Sequence, residues 1–315
     1  EAVNPGMDPV EKEGLAKVET EEGVFFLRDL VDGARTYYLG DSIHKDGTWQ
    51  LSFLLKILDS AMRLHVQVHP TTGFANEVMG KPYGKLECYY ILKVREGIDP
   101  YIRLGFQHSP SREEWKAIVE AQDMEKMDAC FEKIPVKPGE VWYIPGGMPH
   151  AIGEGITMLE IMEPSDLVVR CEFSREGIVV PEEARFMGRG LDFCLDIFDY
   201  TEYSKEEIIE RCRIKPEILE KTDSCQRQRL VGEALTPCFF VEKIEAWKPC
   251  EIVHNGKFTL GVVCSGSCIL EQEGQQIHLK QGDSFAIAAA AERWSILPEE
   301  ETELVIVYPG KDMEK

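Results

Sequence analysis

A chain of 315 residues, 43% of them hydrophobic and 29% charged, can bury a substantial core and is long enough for two domains. Lys and Arg number 35 against 56 Asp and Glu, a net charge of -21. Such a surface repels phosphate backbones and anionic lipid, which argues against a nucleic-acid or membrane-surface role. An anionic small molecule would need a local group of Lys and Arg to hold it against the overall field.

The ten cysteines include no CxxC pair and scatter from Cys88 to Cys268, which predicts reduced thiols and a cytoplasmic protein. No run approaches the ~20 apolar residues that cross a bilayer, and residues 1–25 lack the apolar segment of a leader. A start at Glu1 rather than Met reads as trimmed or incomplete.

In chain order, the Glu-rich residues 1–35 predict a solvated arm or edge strands. Two strand-like runs follow, 51–58 and 62–69, around a turn at Asp59-Ser60-Ala61, and 86–94 predicts a third. Within 111–131, Trp115, Ile118, Val119, Met124, Met127 and Phe131 recur at helical intervals behind a Ser followed by acids, the pattern of one capped helix. Segments 140–144, 157–162 and 167–173 return to strand chemistry. Between 181 and 219 the chain turns charged and helical, with Ser204 as an N-cap, and reads as a connector. Beyond Pro237, short strands broken by Gly at 238–246, 259–264, 267–272, 276–279 and 284–287 predict an antiparallel sandwich or jelly roll.

An internal repeat supports this reading. Residues 137–150 lie over 280–293 without a gap, each copy placing a Gly-acid turn before a strand that ends at a small-residue bend. Ala288 stands for Pro145, Ala290 for Gly147 and Arg293 for His150, so any chemistry belongs to the first copy.

Three segments carry candidate chemistry. In Met62-Arg63-Leu64-His65-Val66-Gln67-Val68-His69-Pro70 strict alternation aims Arg63, His65, Gln67 and His69 at one face of a strand. If the apolar face packs against a helix, the polar face lines a wet cavity; otherwise this is an edge strand facing bulk water. Period two also puts Lys85, Glu87 and Tyr89 on one face, where a surface ion pair is the plainer reading. His150 sits just beyond the Pro145-Gly146-Gly147 bend. Together His69, Glu87 and His150, with Gln67 as a fourth, make a nitrogen and oxygen set suited to Zn2+ or another divalent ion with positions left for solvent or substrate.

The run Gly139-x5-Pro145-x-Gly147-x2-His150 resembles the second motif of the cupins. More narrowly, Gln67-Val68-His69-Pro70, Gly84-Lys85-Leu86-Glu87-Cys88-Tyr89-Tyr90-Ile91, Pro145-Gly146-Gly147-Met148-Pro149-His150-Ala151-Ile152 and Leu159-Glu160-Ile161 with Ser165-Asp166 and Arg170 resemble type I mannose-6-phosphate isomerases in order and spacing. Phe53-Leu54-Leu55-Lys56-Ile57-Leu58-Asp59 matches the strand before the first ligands, and the likeness covers roughly residues 50–175. It implies a mainly β double cupin, two jelly-roll barrels with short helical insertions. The expected domains are a metal-binding cupin over 1–180, a helical connector over 181–225 and a degenerate cupin without metal ligands over 226–315.

The resemblance further implies that Gln67, His69, Glu87 and His150 hold one Zn2+, and that Lys85, Asp166 and Arg170 serve catalysis and substrate handling. The implied substrate is a small sugar phosphate, and the implied reaction interconverts mannose 6-phosphate and fructose 6-phosphate through an enediol. The sequence departs from the family at His65, at Tyr89 in place of Trp, at Met162-Glu163-Pro164, and in lacking a Trp-Gly stretch near its start. The C-terminal third shares only the fold. Arg170 could instead pair with Glu172, and Asp166 could be a turn residue. A phosphosugar-binding cupin without turnover and an iron-dependent cupin oxygenase are the alternatives, and the oligomeric state is left open.

Overall fold

The computed structural model describes residues 15–20, 22–42 and 49–310. Of the expected N-terminal arm, residues 1–14 lie outside the described residues. Lys17–Thr20 and Gly23–Phe26 form an antiparallel hairpin, but Leu27–Gly33 and Arg35–Leu39 are helices. Their apolar side chains decide this: Val31 and Leu39 are buried against Phe258, with Leu27 packed beside them.

The chain forms two compact units. One is the continuous stretch Lys56–Ile214; the other gathers the residues up to Leu55 and from Lys215 onward. The sequence predicts boundaries near 180 and 225 instead. Burial explains the difference. Cys194, Leu195, Ile197 and Phe198 share a core with Trp115 and Val68, and Ile208 and Cys212 share one with Trp142, so residues 181–214 of the segment read as a connector are part of the 56–214 unit, and 215–225 fall in the other.

Both units are mainly β, and both have the expected jelly-roll character as pairs of open sheets rather than closed barrels. In the 56–214 unit one sheet has the order Arg213–Ile214, Val141–Ile144, Glu87–Val94, Ile156–Met162, Leu54–Asp59. The other has the order Val169–Arg170, Gln67–Val68, His150–Ile152, Tyr101–Leu104, Ile134–Pro135. Tyr89, Ile91, Trp142 and Met158 from the first meet Ile102, Leu104 and Ile152 from the second in one buried cluster, so the sheets face each other. Val66, Val68, Ala151 and Val169 point the other way and are buried with Trp115, Val119, Met127 and Phe198. This is the helix-covered apolar face that the alternation around Gln67 requires, each valine contributing roughly 1.5–3 kcal/mol on burial.

The single helix expected over 111–131 is two. Arg112–Ala121 starts with a reciprocal capping box between Ser111 and Glu114. It stops at Gln122, which adopts a left-handed conformation, and Met124–Ala129 restarts on an Asp123 cap. The Gln122 side chain compensates by donating to the carbonyls of Val119 (2.7 Å) and Cys171 (2.9 Å) and accepting from the Phe173 amide (2.7 Å). Farther on, Lys205–Cys212 begins at the expected Ser204 cap, which forms a box with Glu207.

In the other unit a six-stranded sheet runs Glu217–Lys221, Cys225–Val231, Phe239–Ala246, Thr302–Pro309, Thr259–Ser265, Ser284–Ile287. A four-stranded sheet runs Cys250–Val253, Arg293–Pro298, Ser267–Gln272, Gln275–Lys280. Ile244, Val263 and Leu304 of the first meet Leu270, Trp294 and Ile296 of the second in its core. No disulfide forms among the described residues, and none of their helices is long and apolar enough to cross a membrane.

Candidate metal centre

Two close backbone approaches build the site. A Cβ on Gly84 would meet the Thr71 carbonyl carbon at 2.4 Å, and one on Gly146 would meet the Thr71 Cα at 2.7 Å. Only glycine lets both segments lie on the 70–72 turn. The contacts are then fixed by hydrogen bonds from the Lys85 amide to the Pro70 carbonyl (3.0 Å) and from the Gly147 amide to the His69 carbonyl (2.7 Å). Lys85, Glu87 and His150 are thereby delivered to His69.

The result is compact. His69, Glu87 and His150 offer ligand atoms that all lie within 4.8 Å of one another, a group that could hold a metal ion. The imidazole centroids are 5.0 Å apart, and all three residues are buried. Each ring directs Nδ1 at a backbone carbonyl, His69 at Leu167 (2.8 Å) and His150 at Met148 (3.0 Å). Donation there leaves each Nε2 with its lone pair facing the carboxylate, at 3.2 Å from Glu87 Oε1 for His69 and 3.6 Å from Oε2 for His150.

Lone pairs facing a carboxylate repel unless a cation lies between them. His69 Nε2 is indeed buried without a hydrogen-bond partner, and Glu87 Oε1 makes no well-formed hydrogen bond, although the Lys85 ammonium pairs with it at 2.9 Å. The donor set therefore fits a divalent ion. Gln67 Nε2 lies 3.2 Å from His150 Nε2, and rotation of its amide exchanges nitrogen for oxygen at that place.

The electrostatics agree. Burial, helped by Lys85, lowers the His69 pKa to about 4, and burial also lowers that of His150. Burial pushes the Glu87 carboxyl up, but Lys85 and the two imidazoles outweigh it and hold the group well below the usual carboxylate range. For Lys85, burial is outweighed by Glu87 and Glu160, so its ammonium is stabilised. Both imidazoles and the carboxylate are thus in the forms that bind metal. The Tyr89 hydroxyl donates to Glu87 Oε2 at 2.5 Å.

Gln67, His69, Lys85, Glu87 and His150 come together as expected. Arg170 sits directly across the ladder from Gln67, is half-buried, and donates to the Ala184 carbonyl at 2.6 Å. It does not pair with Glu172, whose partners are Arg63 and Arg175. Asp166 is half-buried, with Oδ2 lacking a partner, and its charge acts on both Lys85 and Arg170. The turn beside it is made by Ser165, whose hydroxyl accepts from the Leu167 amide at 3.2 Å.

Arg63 and His65, expected on the same face as Gln67, are not in the cluster, because the regular strand is only Gln67–Val68. Sequence reasoning gave Glu160 no role, yet it stands opposite Tyr89 across the ladder and so shares the inward face. Burial, reinforced by Glu87, raises its carboxyl to about 7. The signal was an acid inside the otherwise apolar Met158-Leu159-Glu160-Ile161-Met162.

Comparison with known proteins adds three findings. A family model described as mannose-6-phosphate isomerase, cupin domain, matches residues 235–309, the stretch in which the residues alone give only a fold-level likeness. Mannose-6-phosphate isomerase of Streptococcus mutans is 41% identical over 124 residues, 39% of this chain and 37% of that relative, so the match spans little more than a third of the relative's length. The crystal structure of the mannose 6-phosphate isomerase of Bacillus subtilis superposes with a TM-score of 0.68 at 22% identity, over 92% of this chain and 83% of that one. A variant of the Salmonella typhimurium phosphomannose isomerase gives 0.68 at 17% identity, over 94% and 88%. The motifs of the 56–214 unit, the family model on the C-terminal region and the fold across nearly the whole chain all bear out the resemblance to type I mannose-6-phosphate isomerases of the cupin superfamily.

Proposed function

We propose that the chain is an aldose-ketose isomerase that interconverts mannose 6-phosphate and fructose 6-phosphate, with one zinc ion held by Gln67, His69, Glu87 and His150. The observation that carries this reading is the meeting of two imidazole Nε2 atoms with a buried carboxylate. Such a mixed nitrogen and oxygen set suits zinc and leaves room for substrate. When bound, the ion supplies Lewis-acid polarisation of sugar oxygens.

The remaining work falls to side chains. Isomerisation moves a proton between C1 and C2 by way of an enediol, and the oxygens on those carbons exchange charge as it moves. The Lys85 ammonium, half-buried beside Glu87, donates hydrogen bonds to the oxygen that becomes negative. Asp166, with an unpartnered buried oxygen, takes up and returns a proton. Glu160, whose carboxyl titrates near neutrality, is a further proton carrier on the same face. Arg170 presents its planar fork to the phosphate or the sugar hydroxyls.

The test is to incubate zinc-loaded protein with fructose 6-phosphate in D2O and identify the product by NMR. Mannose 6-phosphate labelled at C2 is the expected outcome. Saturable binding without turnover would reassign the chain as a phosphosugar-binding cupin, and ferrous iron with oxygen uptake would reassign it as an oxygenase; either result overturns the proposal.

A further inference from the structure

A buried charge cluster on the flank of the metal centre has no part in the chemistry above. Glu172 is fully buried. Its Oε1 accepts from the Val66 amide at 3.2 Å and pairs with Arg63 Nη2 at 2.7 Å, while Oε2 accepts from Arg175 Nε at 2.6 Å. Arg63, itself buried, also donates to the Leu64 carbonyl at 2.9 Å. Desolvating a carboxylate and an arginine is so costly that apolar side chains of similar size hold a core together as well or better. Cohesion alone is therefore a weak account of this cluster.

Where its bonds end gives a better one. Val66 precedes Gln67, and Cys171, which follows Arg170, donates its amide to the Val66 carbonyl at 2.9 Å. Glu172 and Cys171 thus grip both backbone groups of Val66. The ladder they border has just two register pairs, Val169 with Val68 and Arg170 with Gln67. A ladder so short specifies register weakly, and a slip of one residue would turn Gln67 toward the Trp115 side and Val68 toward the imidazoles.

We infer that Glu172 is a positioning residue: it locks the register of the Gln67–Val68 and Val169–Arg170 ladder and so sets Gln67, His69 and Arg170 around the metal centre. This rests on the reading of Gln67 and His69 as ligands. The lock works through the acceptor that Glu172 offers to the Val66 amide, not through the ion pair as such.

Two variants separate those contributions, each measured for thermal midpoint, for Zn2+ affinity by competition with a chelating dye, and for its Co2+ absorption spectrum. Glu172→Gln keeps an acceptor for the Val66 amide but breaks the charge pairing, so its midpoint should fall while Zn2+ affinity stays within about threefold of wild type. The pair Arg63→Met/Glu172→Met fills the space with apolar side chains and deletes the acceptor. Its midpoint should match or exceed that of Glu172→Gln, while Zn2+ affinity drops by about 10–100-fold and the Co2+ spectrum changes.

A merely cohesive role would make affinity follow the midpoint, with Glu172→Gln the weaker binder, and that order overturns the inference. Should the Met pair fail to fold, Glu172→Asp draws the carboxylate back from Val66 with its charge intact; weakened Zn2+ binding supports the lock and wild-type affinity overturns it. Asp128→Asn, which touches the Arg103 pair and the 3.7 Å approach of Arg63 to Asp128 but leaves the Glu172 acceptor in place, should leave affinity unchanged, and a matching loss there also overturns it. If wild type binds Zn2+ but never isomerises, the function proposal fails while the order of affinities still judges the lock.

Discussion

In residues 137–150 and 280–293 a lysine, a glycine and an acid make the same turn. The Lys137 amide bonds to Glu140 Oε2 at 3.1 Å and the Lys280 amide to Asp283 Oδ2 at 2.9 Å. Each acid returns its own amide to the lysine carbonyl, and Gly139 and Gly282 take φ values of 85° and 93°. The strands Val141–Ile144 and Ser284–Ile287 follow, and the next strands open on His150 and Arg293. Between them the copies part. Gly146 lies against the 70–71 backbone and Gly147 bonds to His69, whereas Ala289 and Ala290 donate to the carbonyls of Tyr38 and Tyr37. His150 ends up buried beside a carboxylate, and Arg293 ends up exposed, paired with Glu251. The turn sets the path; how closely the bend approaches its neighbour decides whether the last residue can do chemistry.

The strongest way to break this contrast is to exchange the residues. His150→Arg should abolish zinc binding and lower kcat about a thousandfold or more, measured by metal content and turnover, and Arg293→His should leave zinc stoichiometry unchanged because that position is exposed and faces the exposed Glu251 rather than a buried carboxylate with an imidazole beside it. Acid should then find the first copy before the second. With the folded pKa of His69 at about 4 against 6.5 when unfolded, the unfolded chain binds more protons between those values. Its contribution, on the order of 3 kcal/mol, is complete above pH 6.5 and lost as pH falls to 4. Urea titrations of metal-free protein should show that loss, and His69→Gln should remove it.

The bends themselves sharpen the comparison. Gly146→Ala drives a Cβ into backbone and should lower stability by about 1–3 kcal/mol while weakening zinc binding. Its counterpart Ala289→Gly should lower stability by about 0.5–1 kcal/mol with no effect on metal. Smallest of all, Arg293→Ala at its exposed pair should stay within about 0.5 kcal/mol of wild type by the same titration.

Much of the centre was legible because period-two alternation is a local property. It set Val66 and Val68 against Gln67 and His69, and Lys85 with Glu87, before any partner was known, and the Gly-acid turn revealed the repeat. What failed depended on distant groups. Nothing near Gln122 announces that its amide bonds to Cys171 and Phe173 and splits a helix. Glu172 looked like a partner for Arg170 by proximity in sequence, yet it reaches back to Arg63. Glu160 passed unnoticed because only pairing with Tyr89 shows which way it faces. The compact units divide the chain elsewhere than the sequence suggests for the same reason, since burial of Leu195 and Phe198 with Val68 joins segments more than a hundred residues apart.

That boundary has a bearing on biogenesis. The 56–214 unit is one uninterrupted stretch, whereas the other unit draws on both earlier and later residues of the chain. As translation proceeds from the amino end, every candidate ligand from Gln67 to His150 is made before residues 215–315. The candidate metal centre can therefore assemble on a nascent polypeptide, while the leading segment waits for strands not yet made.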